Sequence, residues 1–135
     1  MKHYTITCSE EQLLLIANMV EDCTRFLSGQ CELWNSTILL DNGKELREYL
    51  NRVVKPMVTP ELHLNESYAW DGGHCPNDYQ RKAIAMGYGL YREILHFFAV
   101  ERTKNNPDAG WNTYCSPTLT CPEQGGLITI KETEE

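Results

Sequence analysis

A chain of 135 residues, 41% hydrophobic and 23% charged, has the length and mix of one ordinary folded domain, long enough to bury a core without metal or disulfide staples. Its formal net charge of −7 argues against general nucleic-acid binding, whose affinity comes from neutralising phosphates. No apolar run approaches the roughly 20 residues that cross a bilayer, and the start, Met1-Lys2-His3-Tyr4-Thr5, lacks the apolar stretch of an export signal, so a cytoplasmic protein with residues 1–135 in a single domain is expected.

His3 to Cys8 (HYTITC) alternates and is rich in β-formers, which predicts a short strand. Ser9-Glu10-Glu11-Gln12 then reads as a capping box opening a helix to about Ser28, stopped at Gly29. Leu13, Ile16, Val20, Cys23 and Leu27 recur at helical spacing and form its expected inner stripe, with Cys23 packing as a small hydrophobe. A second helix is expected over 31–40, with Asp41-Asn42-Gly43 as the turn, and a third from Lys44 to Val54, ending before Pro56. Residues 56–77 hold three prolines and few aliphatics and read as a long irregular segment. Asn77 or Asp78 can cap a fourth helix reaching about Arg102, with Gly87 and Gly89 inside it. A loop-rich stretch follows, then a terminal strand over Leu127–Lys131 (LITIK) and an acidic tail. Isolated strands need partners, so the two terminal strands should pair beside the helices. The expected class is α+β, helix-dominated with about four helices, with a small antiparallel or mixed sheet built from the N- and C-terminal strands.

The six cysteines include no C-x-x-C pair, and without an export signal they read as free thiols. The most informative stretch is Tyr68-Ala69-Trp70-Asp71-Gly72-Gly73-His74-Cys75-Pro76-Asn77-Asp78. Two glycines allow close backbone approach, and the stretch feeds a helix start, where free amides favour an anion. Arg81 and Lys82 follow in the first turn, where helices favour acids. Residues 74–104 carry five basic and three acidic groups in an otherwise acidic chain. On the same helix Arg81, Tyr88, Arg92 and His96 share one face at helical spacing. Two arginines around an aromatic suit an anionic, ring-containing ligand or an acidic partner. The candidate ligand-binding set is therefore Tyr68, Trp70, Gly72, Gly73, His74, Asn77, Arg81, Lys82, Tyr88 and Arg92. The competing reading is an ordinary Asp-Gly-Gly turn beside a solvated helix face.

Other constellations are thinner. Glu93-Ile94-Leu95-His96 has the Glu-x-x-His spacing of di-iron bundles, but a second such motif is missing. Glu45 and Glu48 match one half of the paired-carboxylate pattern of helical nucleotide pyrophosphatases and lack the other half. His63, His74 and Cys75 make a poor zinc set, and Cys75, His96 and Asn77 a poor nucleophile set. No cofactor, metal site or catalytic residue is expected.

The string ITCSEEQLLLIANMVEDCTRFLSGQ, with the later VTPEL and CPNDYQRKAIAMGYGLYREILHFFAVE, resembles a group of small uncharacterised proteins carried by phages and conjugative elements of anaerobic gut bacteria. The resemblance spans about residues 4–101. The group has no established activity, so no site residue carries over, but it implies an accessory protein that binds rather than catalyses. Some phage proteins of this size sequester the nucleotide signals of bacterial defence. The expected function is thus a non-enzymatic binding protein for a small anionic nucleotide-like ligand. The alternatives are a metal-assisted nucleotide hydrolase using Glu45, Glu48 and Glu93, and a protein–protein interaction module. A homo-oligomer is also expected, from the broad apolar circumference of the fourth helix. No membrane partner is expected.

Overall fold

The computed structural model describes residues 1–58 and 78–134, and among these the chain is helical. Five α-helices follow one another: α1 (Glu10–Leu27), α2 (Trp34–Thr37), α3 (Gly43–Tyr49), α4 (Lys55–Val58) and α5 (Asp78–Asn105). A π-helical turn, Leu50–Val54, joins α3 to α4, and two short 3-10 turns, Thr113–Cys115 and Pro122–Gln124, lie beyond α5.

The start of α1 is fixed by its sequence. Ser9 Oγ accepts the Gln12 N–H at 3.1 Å, and Gln12 Oε1 accepts the Ser9 N–H at 2.9 Å. This reciprocal cap is worth about 1 kcal/mol. Glu10 and Glu11 in the first turn and Arg25 in the last suit the helix dipole. α1 and α5 run antiparallel. Gln80 Nε2 donates to the Leu27 carbonyl at 2.6 Å near one end, and Leu13 and Phe98 line a common cleft at the other. Between them Ala17, Tyr91 and Ile94 form the buried centre, with Leu13, Val20, Leu95 and Phe98 packed around it. Gly87 makes the close crossing possible. A Cβ there would stand 2.1 Å from Thr24 Oγ1. α5 runs unbroken through Gly87 and Gly89.

The expected stripe of α1 is rotated. Ile16 and Cys23 are exposed, together with Leu15 and Met19, while Glu21, Asp22 and Thr24 are buried. The second helix contracts from residues 31–40 to Trp34–Thr37 because Leu33 takes a left-handed conformation, φ 49°, and cannot continue a right-handed helix. The third helix passes Pro56 instead of stopping before it. The wider π turn lies immediately upstream, where a proline ring in a regular α-helix would meet the carbonyl four residues back.

The terminal sheet is absent, and the α+β class is corrected to helical. No strand occurs among the described residues, and no backbone hydrogen bond joins residues 3–8 to residues 127–131. HYTITC stands in solvent, with Tyr4 and Ile6 84% and 81% exposed. LITIK buries its apolar side without a ladder, because Ile128 and Ile130 pack directly on the α1–α5 pair. The burial that a sheet would have provided is supplied by helices. The C-terminal segment first crosses α5 and then reverses at Gly125–Gly126. Both glycines have positive φ, 72° and 96°, which side-chain-bearing residues resist. Gln124 fixes that turn, accepting the Cys121 N–H at 3.0 Å and donating to the Leu119 carbonyl at 3.0 Å. No helix of the described residues is long and apolar enough to cross a membrane.

Candidate functional site

Polar groups converge where the middle of α1 meets α2, α5 and the Thr113–Cys115 turn. Asp22, 4% exposed, accepts the backbone N–H of Asn35 at 3.1 Å and of Ser36 at 2.9 Å, and the Ser36 hydroxyl at 2.6 Å. It caps α2 from another helix, doing what the N-cap residue Leu33 cannot. Its neighbour Glu21, also buried, accepts from Arg25 Nε at 3.1 Å, Asn35 Nδ2 at 2.9 Å and the Tyr114 hydroxyl at 3.3 Å. Arg25 reaches on to Gln30 Oε1 at 2.6 Å, and its guanidinium lies 6.0 Å from the centre of the Tyr91 ring. Burial pushes the Tyr91 phenol up to about 12 despite the nearby Arg25. Burial and then the Glu21 carboxylate raise the Tyr114 phenol as well. Burial opposes the Arg25 charge, but Tyr91 and Glu21 favour it, and the balance is upward. At neutral pH both tyrosines are therefore hydroxyl donors beside a fixed ion pair.

Six of the ten candidate ligand residues, Tyr68, Trp70, Gly72, Gly73, His74 and Asn77, lie outside the described residues, as do His63 and Cys75. The other four are on α5. Arg81 Nη1 pairs with Asp78 at 3.2 Å, while its Nε is buried with no hydrogen-bond partner among the described residues. Lys82 is exposed. Tyr88 is half-buried, edge-to-face with Tyr91 at 5.8 Å. Arg92 Nη2 donates to the Thr113 carbonyl at 2.9 Å, and its guanidinium covers the Tyr114 ring at 4.8 Å. Its Nη1 is, like Arg81 Nε, a buried donor without a partner among the described residues. Arg81 and Arg92 share a face but stand three turns, about 16 Å, apart along the axis, so one phosphate does not bridge them.

The remaining candidates hold the chain together. His96 Nδ1 is 2.8 Å from the Tyr114 carbonyl, which only accepts, so Nδ1 carries the proton. Glu93 accepts from the Thr118 hydroxyl at 2.8 Å, whereas Glu45 and Glu48 are exposed on α3. No group of three or more His, Cys, Asp or Glu side chains among the described residues is placed to hold a metal ion. Cys8, Cys23, Cys31, Cys115 and Cys121 are free thiols. Burial, with Glu32 adding, pushes the Cys31 thiol up to about 11, which leaves it protonated and unreactive at neutral pH. Sequence reasoning missed the Glu21–Asp22–Arg25–Asn35–Tyr114 network. The only hint was the i, i+4 spacing of Glu21 and Arg25.

No protein-family model, curated protein or solved structure matches the chain.

Proposed function

We propose that this chain is a non-enzymatic binding protein that takes a small anionic, nucleotide-like ligand along the Arg81–Tyr88–Arg92 face of α5. The observation that carries the reading is the pair of buried guanidinium donors, Arg81 Nε and Arg92 Nη1, that have no hydrogen-bond partner among the described residues. A buried donor without an acceptor costs about 1–3 kcal/mol, and an anionic acceptor offsets that cost with a stronger bond than a neutral one. Lys82 extends the positive charge, and Tyr88 lies between the arginines. The spacing favours a ligand longer than one phosphate. In keeping with the sequence resemblance, the role proposed is that of a cytoplasmic accessory protein of a phage or mobile element that withholds such a ligand from its receptor.

The reading is tested by calorimetry and thermal shift against mononucleotides, linear and cyclic dinucleotides, and divalent metals. A dinucleotide is expected to raise the melting temperature, since a ligand that binds only the folded state stabilises it. Arg81→Ala should weaken binding at least tenfold with little change in stability, because its partner Asp78 is almost fully exposed. Arg92→Ala should lower both, since Arg92 also holds Thr113 and Tyr114. A response to metals alone, with none to nucleotides, would favour the hydrolase.

A second reading rests on a different face. Leu15, Met19, Trp34, Ile38 and Leu39 are exposed on α1 and around α2. Exposed apolar groups on neighbouring elements are what a protein partner or a second copy covers. Light scattering at rising concentration tests it: a mass fixed at that of a monomer, lost partners or none, would remove self-association.

A further inference from the structure

At the far end of the α1–α5 pair, away from Arg81, a cleft of about 780 Å³ opens between the start of α1 and the end of α5. Its floor is apolar: Leu13, Phe97, Phe98 and Ile130. Its rim is acidic, with Glu10, Glu101 and Glu132 set against the single Lys131. Glu101 lies 3.7 Å from Lys104 in an exposed pair, an interaction weak enough to exchange for another cation.

The two side walls are the terminal segments, at Thr7–Cys8 and at Ile130–Thr133. Neither segment spends a backbone N–H or C=O on any other described residue. The stretch that leads into the C-terminal wall nevertheless alternates as a strand does. Ile128 and Ile130 pack inward while Thr129 and Lys131 are exposed. A strand with anchored side chains and free edges is the template that an extended peptide completes by β-augmentation. One extended residue fills roughly 3.4 × 4.8 × 10 Å in a packed sheet, so the cleft has room for about five residues.

We infer that this cleft binds an extended, basic segment of a partner protein, which adds as a β-strand along Ile130–Thr133. Alternate apolar side chains of the segment enter the floor formed by Leu13, Phe97 and Phe98. The intervening Lys or Arg side chains meet Glu10, Glu101 and Glu132. The side chains select sequence, and the backbone of Ile130–Thr133 supplies the pairing groups.

Fluorescence anisotropy with labelled eight-residue peptides tests this on the full chain. A peptide alternating Lys and Ile should bind, more weakly at high salt, and its Glu–Ile counterpart should bind at least tenfold more weakly. The Lys–Ile peptide N-methylated at alternate residues, which cannot pair, should also lose at least tenfold. Glu101→Lys with Glu132→Lys should invert the preference between the basic and acidic peptides, with circular dichroism unchanged. Hydrogen exchange should slow at Ile130–Thr133 when the basic peptide is added. Equal binding of the basic and acidic peptides, or of the N-methylated one, would overturn the inference, as would no binding at millimolar peptide. So would protection of Ile130–Thr133 that grows with protein concentration in the absence of peptide, since a second copy would then be the occupant.

Discussion

Near Thr24 and Gly87, the α1–α5 crossing is closed by polar groups that are almost all paired. Glu21 and Asp22 together bind Arg25, Asn35, Ser36 and Tyr114, drawing α2 and the Thr113–Cys115 turn onto the helix pair. Near Leu13 and Phe98 the same two helices are joined by apolar packing, and the terminal segments beside them pair no backbone group with another described residue. The difference is instructive. Irregular chain is ordered where a buried carboxylate supplies directional bonds, and it stays an open edge where only side-chain burial holds it. A carboxylate accepts several donors at fixed angles, whereas apolar contact is non-directional and specifies position without specifying pairing.

The sharpest way to break this comparison is Glu21→Ala. It removes an acceptor shared by Arg25, Asn35 and the Tyr114 hydroxyl, and should cost about 3 kcal/mol in urea unfolding, with loss of order in residues 111–116 by hydrogen exchange. A loss below about 1 kcal/mol would mean that the network follows the fold rather than holding it. Gly87→Ala should cost about 2 kcal/mol, as overpacking does when the backbone must shift. The added methyl meets Thr24 Oγ1, so Thr24→Ala in the same chain should recover part of that loss.

The alkaline side of the stability profile tests the tyrosines. The folded-state value of Tyr91 is raised to about 12 from an ordinary value of 10.0, so its neutral form is favoured by folding. The unfolded chain releases this proton first as pH rises, and stability present below pH 10 falls between pH 10 and 12. Tyr91→Phe should flatten that fall, and melting temperatures of the two proteins from pH 8 to 11.5 would reveal it. The smallest effect is expected from deleting residues 2–8. They are exposed and make no backbone hydrogen bond to another described residue, and Ser9 retains the helix cap, so stability should change by no more than about 0.5 kcal/mol. A larger loss would mean that the open edge contributes to the fold after all.

Local chemistry was legible in the sequence: the Ser9–Gln12 box, the Gly29 stop, and a long final helix continuous through two glycines. These depend on groups within a few residues of one another. The rotation of α1 was not legible, because its apolar residues outnumber the room on its inner face. Ala17 and Thr24 are buried, since only small residues fit a close crossing, and larger Leu15, Ile16 and Met19 are left outside. The fate of HYTITC and LITIK was likewise undecided by their alternation. Alternation specifies two faces, but whether the apolar one meets a sheet partner, a helix pair or solvent is a property of the whole packing. For the candidate site, spacing placed Arg81, Tyr88 and Arg92 on one face of one helix. Only the tertiary structure determined that Arg92 and His96 grip the Thr113–Cys115 turn, because those contacts join groups 18 to 21 residues apart in the chain. It also determined that Glu21 and Asp22 are buried. A carboxylate leaves water only when enough donors surround it, and those donors come from α2, α1 and a turn more than ninety residues away.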